Sequence, residues 1–217
     1  MSLPPSRSGR ASGRAPGARE RPAFYFDFSS PDCWLAAERV NQELPAVPKW
    51  VPVRVAQARR PPPGRRKATE LHDLERRAAS HGLPAPRLPD PWPDDLGIAL
   101  RAATFAAVSG RVVAFSLAAL RQAFVAGRDL SEVDNVLIAA AACELHPRAV
   151  LKGVESRSVE ERLRAASDEA STRGVGRLPA IAAGTHVFEG PTAVEAAREA
   201  LGDPSSSRWV GNPTGLA

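Results

Sequence analysis

Nowhere in these 217 residues does an uninterrupted apolar run approach the roughly 18 residues of a membrane span, so the sequence gives no sign of a membrane partner. Cysteine is nearly absent, with only Cys33 and Cys143. Two cysteines do not make the disulfide framework of a small secreted domain, and the N-terminal stretch lacks the apolar segment of a secretory signal. Both absences point to a reduced, cytoplasmic protein. Acidic residues are scarce in the first 21 positions, where Arg7, Arg10, Arg14, Arg19 and Arg21 face only Glu20. That stretch therefore carries +4 of the formal net charge of +5. The high isoelectric point belongs to a tail, and the remainder shows no nucleic-acid footprint. Internal repeats are missing too.

What is present is enough for one sizeable domain or two small ones, with 43% apolar residues to build a core. Residues 1–21, rich in Ser, Gly, Pro, Ala and Arg without apolar period, read as a disordered basic tail. Residues 204–217 read as a flexible C-terminal tail in which Trp209 is the one oddity. Between the tails the most informative stretch is Ala23–Val40, AFYFDFSSPDCWLAAERV. Its aromatic run, Phe24, Tyr25, Phe26 and Phe28, suits a buried strand. Ser30-Pro31 then starts a helix, with a hydroxyl able to cap a free N–H and a proline in the first turn, where no N–H is missed. A polar side chain there faces outward N–H groups and the positive end of the macrodipole, a favourable place for an anion such as a thiolate.

Lys49–Ala56 alternates as a second strand, with Pro52 arguing for an edge position. Gln57–Arg66 is a basic, proline-rich connection, and Lys67–His81 a mostly polar helix. Five prolines in residues 82–95 predict an extended loop. Helical patterns follow over Leu96–Gly127, broken at Gly110, then from Ser131 (with Asp134 as a capping-box partner), from His146-Pro147, and over Val159–Arg173. Leu178–Ala182 and His186–Phe188 read as a hairpin about Gly184-Thr185, and Thr192–Leu201 as a last helix.

In order and in motif this chain resembles the thioredoxin-fold branch of DsbA-like oxidoreductases, 2-hydroxychromene-2-carboxylate isomerases and kappa-class glutathione transferases. The stretches that carry the resemblance are FYFDFSSPDCWLA at 24–36, KATELHDLERRAASHGLP at 67–84, AGRDLS at 126–131 and ERLRAASDEASTRGVGRLP at 161–179. The resemblance implies an α/β fold: a thioredoxin-like domain from residues 22–61 and 174–203, with a large all-helical insertion at 62–173. It also implies that Ser30 stands where the oxidoreductases keep their first cysteine. A serine there hydrogen-bonds the sulfur of glutathione and helps hold it as thiolate, which makes Ser30 the candidate catalytic residue. Leu178-Pro179 corresponds to the cis X-Pro that faces the active-site turn and pairs with a bound thiol peptide. Lys67 corresponds to a lysine that reaches the glutathione carboxylate. Asp94-Asp95 falls where relatives carry a polar pair, and Trp34 or Trp92 could line an aromatic substrate site or pack in the core.

The chain departs from the isomerase pattern at 186–193. There Gly190-Pro191-Thr192-Ala193 replaces a glycine followed by an Asp-Arg pair. Thr192 could cap the last helix and bond a ligand, and Arg177 is a new cation that could anchor an anion. Cys33 reads either as a small buried hydrophobe or as a redox thiol. Three functions compete. The first is an enzyme that uses glutathione or another low-molecular-weight thiol to isomerise or conjugate a conjugated or aromatic small-molecule electrophile. The second is a thiol–disulfide oxidoreductase working through Cys33, and the third a non-catalytic relative. The resemblance is compatible with a homodimer.

Overall fold

The computed structural model describes residues 21–55, 68–93 and 95–202. The readings placed on the two tails beyond these limits, on the proline-rich connection, and on Lys67, Asp94 and Trp209 lie outside the described residues. Four strands, β1 (Ala23–Phe26), β2 (Lys49–Pro52), β3 (Ala180–Ala183) and β4 (His186–Glu189), form one sheet in the order β2-β1-β3-β4. β1 runs parallel to β2 and antiparallel to β3, and β3 runs antiparallel to β4. β1 and β2 are joined by α1 (Pro31–Glu43), and α8 (Ala193–Gly202) follows β4. Among the described residues six helices stand between β2 and β3: α2 (Ala68–Ser80), α3 (Gly97–Val108), α4 (Val112–Phe124), α5 (Val133–Ala141), α6 (Pro147–Val154) and α7 (Arg157–Thr172). This is the α/β architecture with a helical insertion that the element order implies.

β1 is buried at all four positions, as expected of a central strand covered on both faces. Its rings build the core outward. Trp50 of β2 meets Phe24 edge-on at a centroid distance of 4.9 Å and Phe26 at 5.4 Å. Phe26 meets Phe28 at 5.8 Å, and Phe28 reaches Phe115 of α4 at 6.5 Å. Such edge-to-face contacts add roughly 0.5–1.5 kcal/mol each beyond area burial. The Trp50 indole N–H donates to Asn41 Oδ1 at 2.9 Å, so its polar atom is satisfied inside the core. α8 packs on β3, β4 and α1, while α3 and α7 pack on β2. One contiguous cluster runs through sheet and insertion alike.

Two expectations need correction. β2 ends at Pro52 instead of reaching Ala56: its partner β1 itself stops at Phe26, and the Val53 N–H makes the last bond of the pair, to Phe26 C=O at 3.0 Å. Ser131 does not cap α5: Glu132 holds that position without a side-chain bond, and the Ser131 N–H is taken by Asp129 Oδ1 at 2.7 Å. Of the two readings open for Trp34, core packing holds: it is fully buried, with its indole N–H donated to Glu38 Oε1 at 3.1 Å. Trp92 packs against Phe124 at 6.3 Å. His146-Pro147 does start α6, the imidazole Nδ1 accepting from the Arg148 N–H at 3.2 Å.

Candidate functional site

The turn after β1 carries the site. Ser30 is the N-cap of α1, with φ −127° and ψ 127°, and Pro31 is the first helical residue. Ser30 Oγ accepts from the Asp32 N–H at 3.2 Å, and Ser30 C=O accepts from the Cys33 N–H at 3.0 Å. Capping uses only a lone pair of the hydroxyl, which keeps its proton to donate. Among the described residues nothing accepts that proton, and Ser30 is half-buried. Capping and donating to an outside anion are therefore compatible roles for one side chain.

Electrostatics around the cap are mixed. The macrodipole favours negative charge, but Asp32 already places a carboxylate in the first turn. Arg77 of α2 answers it with an Nη1–Oδ1 contact of 2.7 Å, and Arg77 Nε also bonds Asp73 Oδ2 at 3.1 Å. Asp73 is further paired to Arg76. Beside these groups opens a cavity of about 460 Å³, lined by Pro31 and Asp32 of α1, Glu70, Asp73, Leu74 and Arg77 of α2, and Arg177.

Arg177 reaches the cavity from the loop before β3. It is exposed, and among the described residues its guanidinium has no ion-pair partner. Two features hold this loop. Glu189 Oε1, at the end of β4, accepts both the Gly176 N–H at 2.6 Å and the Arg177 N–H at 2.9 Å. Gly190, at φ +78°, donates its N–H to Pro179 C=O at 2.8 Å. A Cβ at Gly190 would stand 3.3 Å from Arg177 Cζ, a tight contact that would press on the guanidinium, and the left-handed backbone there suits glycine. The Leu178–Pro179 bond is cis. The Leu178 side chain is buried, and its backbone groups take no hydrogen bond among the described residues. The segment that departs from the isomerase pattern thus braces the loop that carries Arg177, Leu178 and Pro179. Thr192 is exposed, and its carbonyl accepts the Ala196 N–H at 3.0 Å; it does not line the cavity.

Cys33 is buried completely. Its thiol donates to Asp27 Oδ1 at 3.6 Å. Burial first, then the Asp27 charge, pushes the thiol well above its ordinary range. A protonated, buried sulfur is a weak nucleophile. Cys143 is a second free, buried thiol, donating to Ala140 C=O at 3.2 Å.

Sequence reasoning passed over Asp27. It stands between the buried Phe26 and Phe28 and is itself buried. Its carboxyl accepts the Ser29 N–H at 3.1 Å, the Ser29 hydroxyl at 2.6 Å and the Cys33 thiol. Burial raises its affinity for a proton, and the Ser29 and Cys33 bonds partly offset this. A lone acid inside an aromatic run was the signal available. No cluster of residues suited to holding a metal occurs among the described residues.

The family model for the DSBA-like thioredoxin domain matches residues 23–202. Comparison with curated proteins by sequence finds no match. Among solved structures the fold is similar to a 2-hydroxychromene-2-carboxylate isomerase, at 18% identity and TM-score 0.70, covering 83% of this chain and 94% of that one. It is also similar to a probable DsbA oxidoreductase from Streptomyces coelicolor, at 18% identity and TM-score 0.69, covering 91% and 93%. A DsbA from Pseudomonas aeruginosa gives 12% identity and TM-score 0.53, covering 88% and 91%. Identities this low speak for the fold alone. With the family model spanning both halves of the sheet and the whole helical insertion, the chain belongs to the DSBA-like thioredoxin domain family.

Proposed function

We propose that the protein binds a low-molecular-weight thiol, glutathione or another, with its sulfur at Ser30, and uses the thiolate to isomerise or conjugate a small conjugated or aromatic electrophile, in the manner of a 2-hydroxychromene-2-carboxylate isomerase. The observation that carries this reading is the state of Ser30: its lone pair caps α1 while its proton stays available at the helix N-terminus. A hydrogen bond to a charged group is worth about 1.5–3 kcal/mol, and a charge at a helix terminus about 0.3–1 kcal/mol. Arg77 pairs with the Asp32 carboxylate in the first turn and so reduces its opposition. Arg177, with no ion-pair partner among the described residues, supplies a cation for a carboxylate of the thiol or of the electrophile.

The chemistry balances without an external oxidant. The thiol gives its proton to solvent and binds as thiolate. Its sulfur adds to a conjugated carbon, forming a C–S bond while the C=C π pair moves onto the conjugated acceptor. For an isomerisation, rotation follows, the pair returns and the C–S bond breaks. For a transfer, the carbanion takes a proton and the C–S bond stays. The buried, protonated Cys33 does not favour the oxidoreductase alternative.

Calorimetric titration with glutathione tests the reading. Wild type is expected to bind, and Ser30→Ala to bind at least tenfold more weakly, the loss of about 1.5 kcal/mol or more of charged hydrogen bonding. Absence of binding at millimolar thiol in both proteins would reject glutathione, and the same result across other small thiols would reject the reading.

A further inference from the structure

A second groove runs along the outer edge of β2, between α3 and α7, and shares no lining residue with the cavity beside Ser30. Its volume is about 360 Å³. The Lys49 N–H goes to Pro22 C=O at 2.7 Å and the Val53 N–H to Phe26 C=O at 3.0 Å, so the backbone groups of these residues face β1. Alternation along the strand turns the Trp50 N–H the other way, toward the groove that Trp50 lines. Its neighbours on that side, Pro48 and Pro52, have no N–H, and the Arg54 N–H is taken by Ser167 Oγ of α7 at 2.9 Å. Trp50 is 3% exposed, and its N–H meets no acceptor among the described residues. Orphaned backbone donors in buried surroundings are rare. We propose that this groove binds a small apolar monocarboxylate. Its carboxylate is taken by the Trp50 N–H with Lys49 and Arg162, and its apolar part lies along the small side chains of α7.

Charge and shape select this ligand class. Lys49 of β2 and Arg162 of α7 both line the groove, and neither has an ion-pair partner among the described residues. The carboxylate of the lining, Glu169, is already paired with Arg173 at 3.5 Å. Two uncommitted cations and a backbone donor on one wall favour an anion. α7 turns Arg162, Ala165, Ala166 and Glu169 to the groove, at the spacing of one helix face. The two alanines keep the floor low where leucines would fill it. At the α3 side Val108 is 58% exposed, an apolar side chain without cover. The Trp50 and Pro52 carbonyls lie on the same strand edge and would repel a second carboxylate, which selects a monoanion. A strand from another chain fits this edge badly, because the prolines and the Ser167 bond leave a single donor where a ladder needs one at every second residue. No step of the thiol chemistry passes through the groove, so the proposal stands apart from the reading of Ser30.

The test is an NMR titration of the isotope-labelled full chain with phenylpropanoate and with octanoate, read at the Trp50 backbone amide. A saturable downfield shift of that N–H is expected at millimolar acid. Lys49→Gln combined with Arg162→Gln removes both charges at exposed positions and should weaken binding at least tenfold, as should replacing the acid by neutral phenylpropanamide. Ala166→Leu, which fills the floor, should abolish the shift. No saturable shift with either acid overturns the proposal. So does equal binding by the double variant or of the neutral amide. A Trp50 shift that grows with protein concentration alone would assign the edge to a second copy of the chain and overturn it too. Glutathione binding that depends on Ser30 is untouched by any of these results, so the two readings fail separately.

Discussion

The helix that carries Ser30 is fastened to the far end of the fold by a buried arginine, and loosening that fastening has a cost that can be worked out. Arg39 of α1 donates to Glu43 from Nε at 2.7 Å and from Nη2 at 3.3 Å, and Nη2 also donates to Glu195 of α8 at 2.5 Å. Arg198 of α8 adds a bond to Glu43 at 3.2 Å. The Arg39 side chain is 8% exposed, whereas Glu43 and Glu195 are 22% and 38% exposed. Fully buried, such a pair broken from one side would cost about 3–5 kcal/mol. Water can reach both carboxylates, and Arg198 stays on Glu43, so the expectation for Arg39→Ala is about 2–3 kcal/mol. Arg39→Met keeps most of the packed stem and removes the charge, for about 1–2 kcal/mol. Urea unfolding should show both as a lower midpoint at unchanged slope. A double-mutant cycle between Arg39→Met and Glu195→Gln should return a coupling of about 1 kcal/mol. The acid limb gives a second reading. Pairing with Arg39, opposed by burial, holds the Glu43 carboxyl below its ordinary value. A depressed carboxyl stabilises the fold above its unfolded pKa, and that contribution is lost as pH falls through the lower folded value. Wild type should therefore lose stability below about pH 4.3 more steeply than Arg39→Met. An Arg39→Met protein within 0.3 kcal/mol of wild type, with the same acid limb, would refute the reasoning.

Two further outcomes are expected. Gly190→Ala combines a left-handed backbone at φ +78° with a Cβ 3.3 Å from Arg177 Cζ, so it should cost about 1–2 kcal/mol and weaken thiol binding by displacing the guanidinium; normal stability in thermal melts would refute it. Cys33 should resist iodoacetamide at neutral pH in the native protein and react only on unfolding, because its thiol is buried and held protonated; rapid native alkylation would show that the burial is wrong.

Local chemistry was legible in the sequence wherever one residue decides its own neighbourhood. Ser30-Pro31 and His146-Pro147 start helices because proline's fixed φ and missing N–H suit that place. The aromatic run of β1 announces a strand buried on both faces. Competition between near neighbours was not legible. Ser131 does not cap α5 because the helix begins one residue later, with Glu132 at the cap, while Asp129 Oδ1 shapes the turn before it through the Ser131 N–H. Contacts between distant segments were invisible as well. Arg39 and Glu195 are 156 positions apart, and nothing local to either marks the other. The same holds at the site. Asp27 could be seen as an odd acid among phenylalanines, but its grip on Ser29 and Cys33 depends on how the turn folds back beneath the strand. Arg177 was legible as a new charge, while its support by Glu189 and Gly190 depends on hairpin pairing.

The hairpin has two ends of unequal importance. At its base Ala180 pairs with Glu189, whose carboxylate holds the loop before Pro179; at its tip Gly184 and Thr185 stand exposed. Three paired positions, from Ile181–Phe188 to Ala183–His186, separate the two. An insertion at the tip is thus insulated from the cavity by a zipped ladder, while a one-residue change of register at the base would turn Glu189 to the opposite face and release Arg177. The tip is the place on this protein for a dye or a tether that leaves the sulfur site untouched.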